Sequence, residues 1–375
     1  MNIASVPREA LETPRIIRRV TEASRYLAEF KGVVAAVSDQ KKRILINTLA
    51  LQEAKDSSAI ENIVTTHDEL FRRLSGADGS ENPAAKEVLR YREAVQVGWE
   101  LVGKHGLITN NHILKIQSTL EPNKPGFRTT PGTTLKDNAG RVVYTPPQDA
   151  REIVALMGTL EAELNAATGD GPDPLVRMAV IHHHFESIHP FYDGNGRTGR
   201  ILNVLYLLKE GLLDLPVLYL SGPIVRSKPR YYELLQAVRD RGVWEDWILY
   251  VLDAVAESAR EGIAKIASIL AAQLEVKHRV RNEFPKIYSQ DLINNLFTHP
   301  YTKVRFVMED LEKSHVTAAK YLETLTAAGI LEKRKVGRAT YYINVRLMEI
   351  LTAPPSVAAP APLSLPRSWL REGPS

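Results

Sequence analysis

Apolar and charged residues alternate at helical spacing through residues 13–74 of the chain. Apolar positions on one such stripe are Ile16, Ile17, Val20, Ala23 and Leu27. Apolar side chains that recur every three to four residues share one face of a helix, and polar side chains cover the other face. The pattern therefore predicts several helices in this part of the chain.

Two further helical stretches flank a short polar segment in the middle of the sequence. Residues 174–185 are apolar at helical spacing after Pro174, and residues 201–208 continue the pattern beyond residues 189–200. We expect a helix–loop–helix joint at this place. Another helical stretch is predicted near residues 254–280.

Period-two patterns and turn formers are confined to two places. Residues 126–131 and 142–147 bracket Asp137-Asn138-Ala139-Gly140, which predicts a small β-hairpin. Residues 330–335 and 339–343 are also β-prone. They follow two predicted helices, residues 304–313 and 316–328, the second capped by Ser314 and closed by Gly329. The predicted fold class is mainly α, with small β-hairpins.

Composition limits the setting of the protein. A chain of 375 residues with 44% hydrophobic content can form two or more domains with cores of their own. Residues 1–12 lack the apolar core of a signal peptide, and no apolar run is long enough to span a membrane. The absence of cysteine excludes disulfides and thiolate chemistry and fits a reducing compartment. We therefore expect a cytoplasmic protein without a membrane partner.

Charge adds little at the level of the whole chain. A formal net charge of +4 and a pI near 9.0 are mild, so they do not by themselves indicate a nucleic-acid-binding protein. Residues 353–375 are rich in Pro, Ala and Ser, and we expect a disordered tail there.

The segment at residues 189–200 concentrates the candidate chemistry. Gly194 and Gly196 let the backbone turn its N–H groups toward an anion, and the following helix adds its positive N-terminal end. Arg197 and Arg200 are three residues apart and could reach phosphate oxygens from one helix face. Asp193 suits Mg²⁺, and His189 could accept a proton from an attacking hydroxyl. The combination favours a polyphosphate site.

This segment resembles the full Fic signature, His-Pro-Phe-x-(Asp/Glu)-Gly-Asn-Gly-Arg-x-x-Arg, at every position. The resemblance implies a helical Fic core and an adenylyltransferase that moves AMP from ATP to a Ser, Thr or Tyr hydroxyl of a protein, which could be the chain itself. His189 would be the base. Asp193 would hold Mg²⁺, Asn195 and the loop N–H groups would contact phosphate oxygens, and both arginines would hold the β- and γ-phosphates.

A second motif lies upstream. Residues 57–62 taken alone predict the start of a helix capped by Asp56 or Ser57. Beside a Fic signature, Ser57, Glu61 and Asn62 resemble the inhibitory motif Ser-x-x-x-Glu-(Gly/Asn). The resemblance implies that Glu61 pairs with Arg200 in the place of the γ-phosphate, so that ATP binds out of register and the chain is autoinhibited. In related members this glutamate also positions water to remove AMP.

The resemblance extends to the predicted hairpin and to a tyrosine pair. The hairpin corresponds to the flap that covers the nucleotide and pairs with an extended target segment, with Tyr144, Thr145 and Pro146 as candidates for contacting the target. Tyr231 or Tyr232 would lie near the adenine, although Ser227-Lys228 departs from the Asn-Arg that relatives often have there. Fic proteins of this kind often form dimers, so a homodimer is a further expectation.

Three consecutive histidines, His182, His183 and His184, do not predict a metal site. Adjacent residues on a helix diverge by about 100°, so these rings cannot converge on one ion.

The order helix, helix, β-hairpin at the C-terminal end resembles a winged helix. Winged helices bind DNA or protein, and here the second helix would expose Thr317, Lys320, Tyr321 and Thr324. Basic residues of the wing are Lys333, Arg334, Lys335 and Arg338. DNA is therefore a candidate partner, and an ordinary solvated hairpin is the alternative of about equal weight.

The predicted organisation has five parts. An N-terminal region that carries the inhibitory motif spans residues 1–80, a Fic core 81–254, a connecting helix 255–284, a winged-helix domain 285–351 and a disordered tail 352–375. Two alternatives to AMP transfer stay open: a DNA-binding transcription regulator that uses the Fic fold as a nucleotide sensor, and transfer from another donor, as in relatives that move phosphocholine or phosphorylate.

Overall fold

Helices form most of the regular structure, as predicted. The computed structural model describes residues 6–74, 82–137, 139–167, 169, 171–336 and 339–353. The helices are α1 (Arg8–Leu11), α2 (Pro14–Ala36), α3 (Asp39–Ile60), α4 (His67–Leu74), α5 (Pro83–His105), α6 (Asn110–Leu120), α7 (Ala150–Asn165), α8 (Pro174–Ile188), α9 (Asn195–Lys209), α10 (Ser221–Arg226), α11 (Lys228–Arg241), α12 (Trp244–Glu283), α13 (Gln290–Thr298), α14 (Val304–Leu311), α15 (His315–Ala327) and α16 (Val345–Thr352). The strands are β1 (Leu135–Lys136), β2 (Val142–Tyr144), β3 (Tyr301–Thr302), β4 (Leu331–Val336) and β5 (Ala339–Asn344).

The chain divides into two compact units. The first contains residues up to 32, 53–63 and 87–259, and the second contains residues 33–52, 64–86 and those from 260 onward. The predicted N-terminal region, residues 1–80, contributes helices to both units, and α12 continues without a break through the predicted boundary at residue 254. The five predicted domain ranges stay predictions.

Helices α8 and α9 form the centre of the first unit. The residues of α8 from Leu175 to Ile188 are all buried, and so are most residues of α9. Because neither helix has a face toward solvent, their polar residues, such as His182 and Arg200, find partners inside the unit. The indole N–H of Trp247 donates to the carbonyl of Ala179 over 2.8 Å and ties α12 to α8.

Local sequence signals set both ends of α8. Asp173 caps its first turn by accepting from the N–H of Leu175 over 2.8 Å, and Pro174 occupies the first helical position, where no N–H is needed. The helix ends at His189, which has a left-handed backbone with φ 49°. Pro190 follows and cannot continue a helix. The predicted helix–loop–helix joint is thus present.

In the second unit, α14 and α15 precede the antiparallel hairpin of β4 and β5, and β3 pairs with β5 to give the sheet order β3-β5-β4. Ser314 caps α15 by accepting from the N–H of Thr317, and Gly329, with φ 70°, turns the chain after it. The helices and the hairpin predicted from the sequence are therefore present. The winged-helix assignment stays a prediction.

Two details of the prediction were wrong. The first arm of the predicted flap, residues 126–131, is not a strand, and β2 pairs instead with residues 135–136. Residues 57–60 lie at the end of α3, so Ser57 does not begin a helix. Both errors arose because turn formers and capping residues mark a boundary without fixing which element lies on which side.

Some expectations lie at the edge of the described residues or beyond it. Asn138, Arg338 and residues 354–375, which include most of the predicted tail, lie outside the described residues. Within the described part of the chain, none of the helices combines the length and apolar content that a membrane crossing requires.

Candidate active site

The loop between α8 and α9 is braced by one side chain. Asn195 accepts from the N–H of Phe191 over 2.9 Å and donates from Nδ2 to the carbonyl of Phe191 over 2.8 Å. Phe191 itself is fully buried. The amide predicted to contact phosphate oxygens therefore also shapes the loop that would present the backbone N–H groups.

The first turn of α9 is open to an anion. Gly194 stands at the N-cap with φ 77°, a conformation that favours glycine, and no side chain caps the helix start. The N–H groups of a first helical turn have no partner within the helix and point along its axis, together with the positive end of the helix dipole. The geometry suits a phosphate group.

Arg200 is buried beside this turn and bonded to the end of α3. Its Nε donates to Ser57 Oγ over 2.8 Å, and its Nη2 donates to the Ser57 carbonyl and to Glu61 Oε1, each over 2.9 Å. Arg200 is 1% exposed, whereas the Glu61 side chain is 31% exposed. The structure thus brings Ser57 and Glu61 into contact with Arg200, which lies 143 and 139 residues further along the sequence.

Gly196 makes room for the Glu61 carboxylate. A Cβ at this position would lie 2.1 Å from Glu61 Oε1 and 3.0 Å from Arg200 Nη1, distances that real Cβ atoms do not show or rarely show. Asn62, which follows Glu61, has a left-handed backbone with φ 65°. Asn and Gly tolerate that conformation best, which explains the choice of residues at the last position of the motif.

Arg197 has different partners from Arg200. It is buried, and its Nη2 donates to Glu121 Oε1 over 2.7 Å and lies 3.6 Å from Asp193 Oδ1, while Nη1 lies 3.5 Å from Glu87 Oε1. The two guanidiniums, predicted to act together on phosphates, are therefore held by separate sets of carboxylates. No local pattern indicated Glu87 or Glu121, because α5 and α6 reach Arg197 only through the tertiary fold.

The imidazole ring of His189 is largely shielded from water. Burial first, and then the guanidiniums of Arg239 and Arg128, lower its pKa to about 4 against the opposing effect of the Glu61 carboxylate. The ring is therefore neutral near pH 7, with a nitrogen lone pair able to accept a proton.

Arg128 was not identified from the sequence, yet it ties the flap region to the signature. Its Nε donates to the carbonyl of His189 over 2.8 Å, and Nη2 donates to the carbonyls of Pro147 and, over 3.3 Å, Ile188. Its backbone N–H donates to the carbonyl of Pro190 over 2.8 Å. Arg128 lies within residues 126–131. The segment that was predicted to be a strand therefore attaches the loop to the end of α8 instead.

The flap residues predicted to contact a target differ in exposure. Tyr144 donates from its hydroxyl to the carbonyl of Ser187 over 3.0 Å, and its ring lies under the guanidinium of Arg239. Pro146 is buried and Thr145 is exposed, and the prediction that Tyr144, Thr145 and Pro146 contact the target stays a prediction. Val142 and Val143 are the exposed apolar residues of β2.

Tyr192, the variable position of the signature, also holds this region. Its hydroxyl accepts from the backbone N–H groups of Thr129 and Thr130 over 2.9 and 3.0 Å. The loop that precedes the flap is therefore attached to the signature at Tyr192 as well as at Arg128.

Asp193 fits the predicted magnesium ligand. Its side chain is 51% exposed, so oxygens remain accessible beyond Oδ1, which accepts from the N–H of Gly194 over 2.7 Å. Mg²⁺ usually binds one or two protein carboxylates and completes its shell with water and phosphate oxygens. A single exposed carboxylate beside an anion site is such a donor set.

The two tyrosines proposed near the adenine have different surroundings. Tyr231 is buried, and its hydroxyl lies 2.8 Å from His182 Nε2. Tyr232 is 43% exposed. Tyr232 is therefore the better candidate for stacking on a base, and Tyr231 packs within the unit.

The three consecutive histidines have separate partners. His182 meets Tyr231, His183 Nε2 lies 3.2 Å from the carbonyl of Leu235, and His184 Nδ1 lies 3.1 Å from Glu163 Oε2. The rings point in different directions, which is the geometry expected of neighbours on a helix.

Glu186 is a buried carboxyl that the sequence did not single out. Its Oε1 has no hydrogen-bond partner among the described residues, and Gly199 leaves it space, since a Cβ there would lie 2.7 Å away. Burial raises the pKa of Glu186 to about 7, against the opposing charge of Arg200.

The comparisons with known proteins agree with this fold. The Fic/DOC family N-terminal model matches residues 17–100, the Fic/DOC family model matches residues 107–207, and the model for the C-terminal domain of SoFic-like protein adenylyltransferase matches residues 273–347. The chain belongs to the Fic/DOC family.

Solved structures share the fold at low sequence identity. A Fic family protein from Desulfovibrio desulfuricans G20 is 18% identical with a TM-score of 0.56, over 89% of this chain and 97% of that one. Fic-1 from C. elegans is 20% identical with a TM-score of 0.53, over 68% of this chain and 75% of that one.

Curated relatives match shorter parts. Protein adenylyltransferase Fic of Aedes aegypti is 26% identical over 236 residues, 57% of this chain and 44% of the relative. Protein adenylyltransferase fic-1 of Caenorhabditis briggsae is 34% identical over 88 residues, 24% of this chain and 16% of the relative. The chain thus spans less than half the length of these relatives.

Proposed function

We propose that the chain is a protein adenylyltransferase that moves AMP from ATP to a Ser, Thr or Tyr hydroxyl of a protein. The observation that carries the proposal is the joint between α8 and α9. There a neutral imidazole, an uncapped helix start and a buried guanidinium in an ion pair with Glu61 lie within one signature. The relatives named protein adenylyltransferase support the same activity.

In the proposed step, the hydroxyl oxygen of the target forms a bond to the α-phosphorus of ATP. The bond from that phosphorus to the oxygen bridging to the β-phosphate breaks, and its electron pair leaves with pyrophosphate. The hydroxyl proton moves to the neutral ring of His189, so that atoms and charges balance. A positioned base of this kind contributes about 10²–10⁴-fold to the rate.

The remaining residues position the phosphates. Backbone N–H groups of the first turn of α9 and the guanidinium of Arg200 would bind phosphate oxygens. Asp193 would hold Mg²⁺, which neutralises charge on the phosphates when it is bound. Arg197 would act mainly by holding the loop in place, because its Nη2 is already in an ion pair with Glu121.

Autoinhibition by Glu61 follows from the same geometry. Glu61 Oε1 accepts a hydrogen bond from Arg200 Nη2 over 2.9 Å. A γ-phosphate and this carboxylate would therefore compete for the same guanidinium. A nucleotide displaced from Arg200 would be out of line for attack at the α-phosphorus, and in-line transfer tolerates little displacement. The exposed part of Glu61 also fits the second proposed role, in which it orients water to remove AMP from a modified target.

The target would bind along the flap. Strand β2 exposes Val142 and Val143 at an edge, and Thr145 follows them. Pairing of an extended segment with such an edge supplies main-chain hydrogen bonds with little demand on sequence. We infer that a flexible segment of a protein, of a partner or of the chain itself, supplies the acceptor hydroxyl.

The nucleotide-sensing transcription regulator stays a second candidate with weaker support. In the described part of the predicted wing, Lys333 forms an ion pair with Glu323, and Arg334 lies 2.9 Å from Glu332 and 2.7 Å from Asp68. Cations already paired with carboxylates give little net attraction to DNA phosphates.

Labelled ATP tests the proposal. The Glu61→Gly protein should label protein from ATP labelled at the α-phosphate and not from ATP labelled at the γ-phosphate. His189→Ala in the same background should remove the label, and the unchanged chain should give much less of it. Label from the γ-phosphate would instead identify a kinase, and equal labelling with and without Glu61 would show that the chain is not autoinhibited.

A further inference from the structure

Three polar residues share one face at the end of α3. Glu53, Ser57 and Glu61 follow one another at intervals of four residues, which places them on the same side of the helix and just beyond its end. Ser57 and Glu61 bind Arg200. Glu53 lies one turn earlier and outside the recognised inhibitory motif.

Glu53 is buried and accepts several hydrogen bonds. Its Oε2 accepts from the N–H of Ser221 over 2.9 Å, and its Oε1 accepts from Ser221 Oγ over 2.5 Å and from the Tyr91 hydroxyl over 3.1 Å. Glu53 is 5% exposed. Burial raises the pKa of Glu53, and the hydrogen bonds from Ser221 and Tyr91 oppose that rise.

These contacts lie one helical turn from those of the active-site arginine. Ser57, one turn after Glu53 on the same helix face, accepts from Arg200 Nε through its Oγ. Hydrogen bonds thus hold Glu53 on Ser221 and Tyr91 and, one turn later, Ser57 on Arg200. All of these residues belong to the first unit.

The two carboxylates of this face differ in exposure. Glu61 is about one third exposed and its partner Arg200 is buried, so solvent screens this ion pair in part. Glu53 is desolvated, so withdrawing it would leave the Ser221 N–H and the Tyr91 hydroxyl without their acceptor. The end of α3 is therefore held by Glu53 as well as by the contacts of Ser57 and Glu61 with Arg200.

We propose that Glu53 is a positioning residue of the inhibitory helix, which docks the end of α3 on Ser221 and Tyr91 and so holds Glu61 against Arg200. This inference rests on the proposed inhibition by Glu61. It predicts that weakening the hydrogen bonds of Glu53 with Ser221 and Tyr91 raises AMP transfer although Glu61 is unchanged.

The test uses the full chain and α-labelled ATP. Tyr91→Phe removes one hydroxyl with no loss of ring volume, and Glu53→Gln removes the charge that the donors bind. Each should raise AMP transfer, by about fivefold for Tyr91→Phe and roughly tenfold for Glu53→Gln, since hydrogen bonds to a charged acceptor are the stronger ones. Tyr206→Phe is the matched control, because the buried Tyr206 hydroxyl has no hydrogen-bond partner among the described residues.

The Glu61→Gly background separates this inference from the proposed function. Glu53→Gln and Tyr91→Phe should add nothing there, because they act only through Glu61. Activation by Glu61→Gly without activation by Tyr91→Phe overturns the role of Glu53 alone. No activation by Glu61→Gly overturns the inhibition itself. If Glu53→Gln does not fold, the isosteric Tyr91→Phe variant still decides the question.

Discussion

At Gly196 a missing methyl group allows Glu61 to reach Arg200. The residue stands in the first turn of α9, and a Cβ there would overlap the carboxylate of Glu61. The second glycine of the signature therefore leaves room for the ion pair of Glu61 with Arg200. Asn195 likewise has a structural role, because its side chain hydrogen-bonds the backbone of the loop that would bind the nucleotide.

The pH dependence of transfer belongs to the residue scale. Burial lowers the pKa of His189 to about 4, so the ring stays neutral and able to accept a proton until the pH falls to that value. In the Glu61→Gly protein, kcat/KM should therefore hold through pH 6 and fall with a midpoint near or below 4, because the raising effect of the Glu61 carboxylate is gone. A pH series of AMP transfer measures this.

Glu186 provides the control for that series, because burial raises its pKa to about 7. If kcat/KM falls as the pH drops below about 7 and this fall disappears in Glu186→Gln, the titrating group is Glu186. If kcat/KM instead falls with a midpoint near 6.5 and still does so in that variant, the lowered pKa of His189 is contradicted.

At the scale of elements, the flap depends on main-chain anchors. The hairpin β1–β2 is short, and short two-stranded hairpins are not stable alone. Arg128, Tyr144 and Tyr192 attach it and its preceding loop to the end of α8 and to the signature. The flap therefore keeps its place through side chains that bind backbone carbonyls or N–H groups.

Replacing Arg128 tests this dependence. Arg128→Met keeps the length of the side chain but leaves the carbonyls of His189 and Pro147 without their charged donor. We expect the free energy of unfolding to fall by about 2–4 kcal/mol and AMP transfer in the Glu61→Gly background to fall at least about tenfold. Urea unfolding and labelled transfer measure the two effects.

Arg151→Met is the comparison, because that side chain is 95% exposed and should change neither quantity. Equal behaviour of the two variants would mean that Arg128 does not anchor the flap.

At the scale of the whole molecule, the chain passes between the two units within α2, α3, α5 and α12 and after residue 63. In α3 the passage comes just before Glu53, the first polar residue of the inhibitory face. In the second unit, Asp68 accepts from the hydroxyl of Tyr301 over 2.5 Å and from Arg334 Nη1 over 2.7 Å. The residues that follow the inhibitory motif are thus attached to the C-terminal elements.

The C-terminal elements are expected not to bind DNA. Because Lys333 and Arg334 are paired with carboxylates, the full chain should not shift duplex DNA in a gel, even at low salt. Glu323→Gln and Glu332→Gln together remove the partner of Lys333 and one of the two partners of Arg334, which stays paired with Asp68, and should create weak, salt-sensitive retention. Retention by the unchanged chain that falls steeply with salt would instead support the regulator alternative.

The sequence by itself determined the features that depend on neighbouring residues. The ends of α8, the glycine turn, the capped α15 and the β4–β5 hairpin follow from local backbone preferences, and the order of residues 189–200 indicated the chemistry. It also indicated Glu61 and Arg200 as partners, although only through a family resemblance.

The tertiary structure decided which distant groups surround those residues. Glu121 against Arg197, Arg128 against the end of α8, and Glu53 against Ser221 join positions far apart in the chain. Burial, which sets the pKa of His189 and of Glu186, likewise depends on what packs over a residue. Local pattern encodes backbone conformation, whereas desolvation and pairing of charges arise only when separate helices pack together.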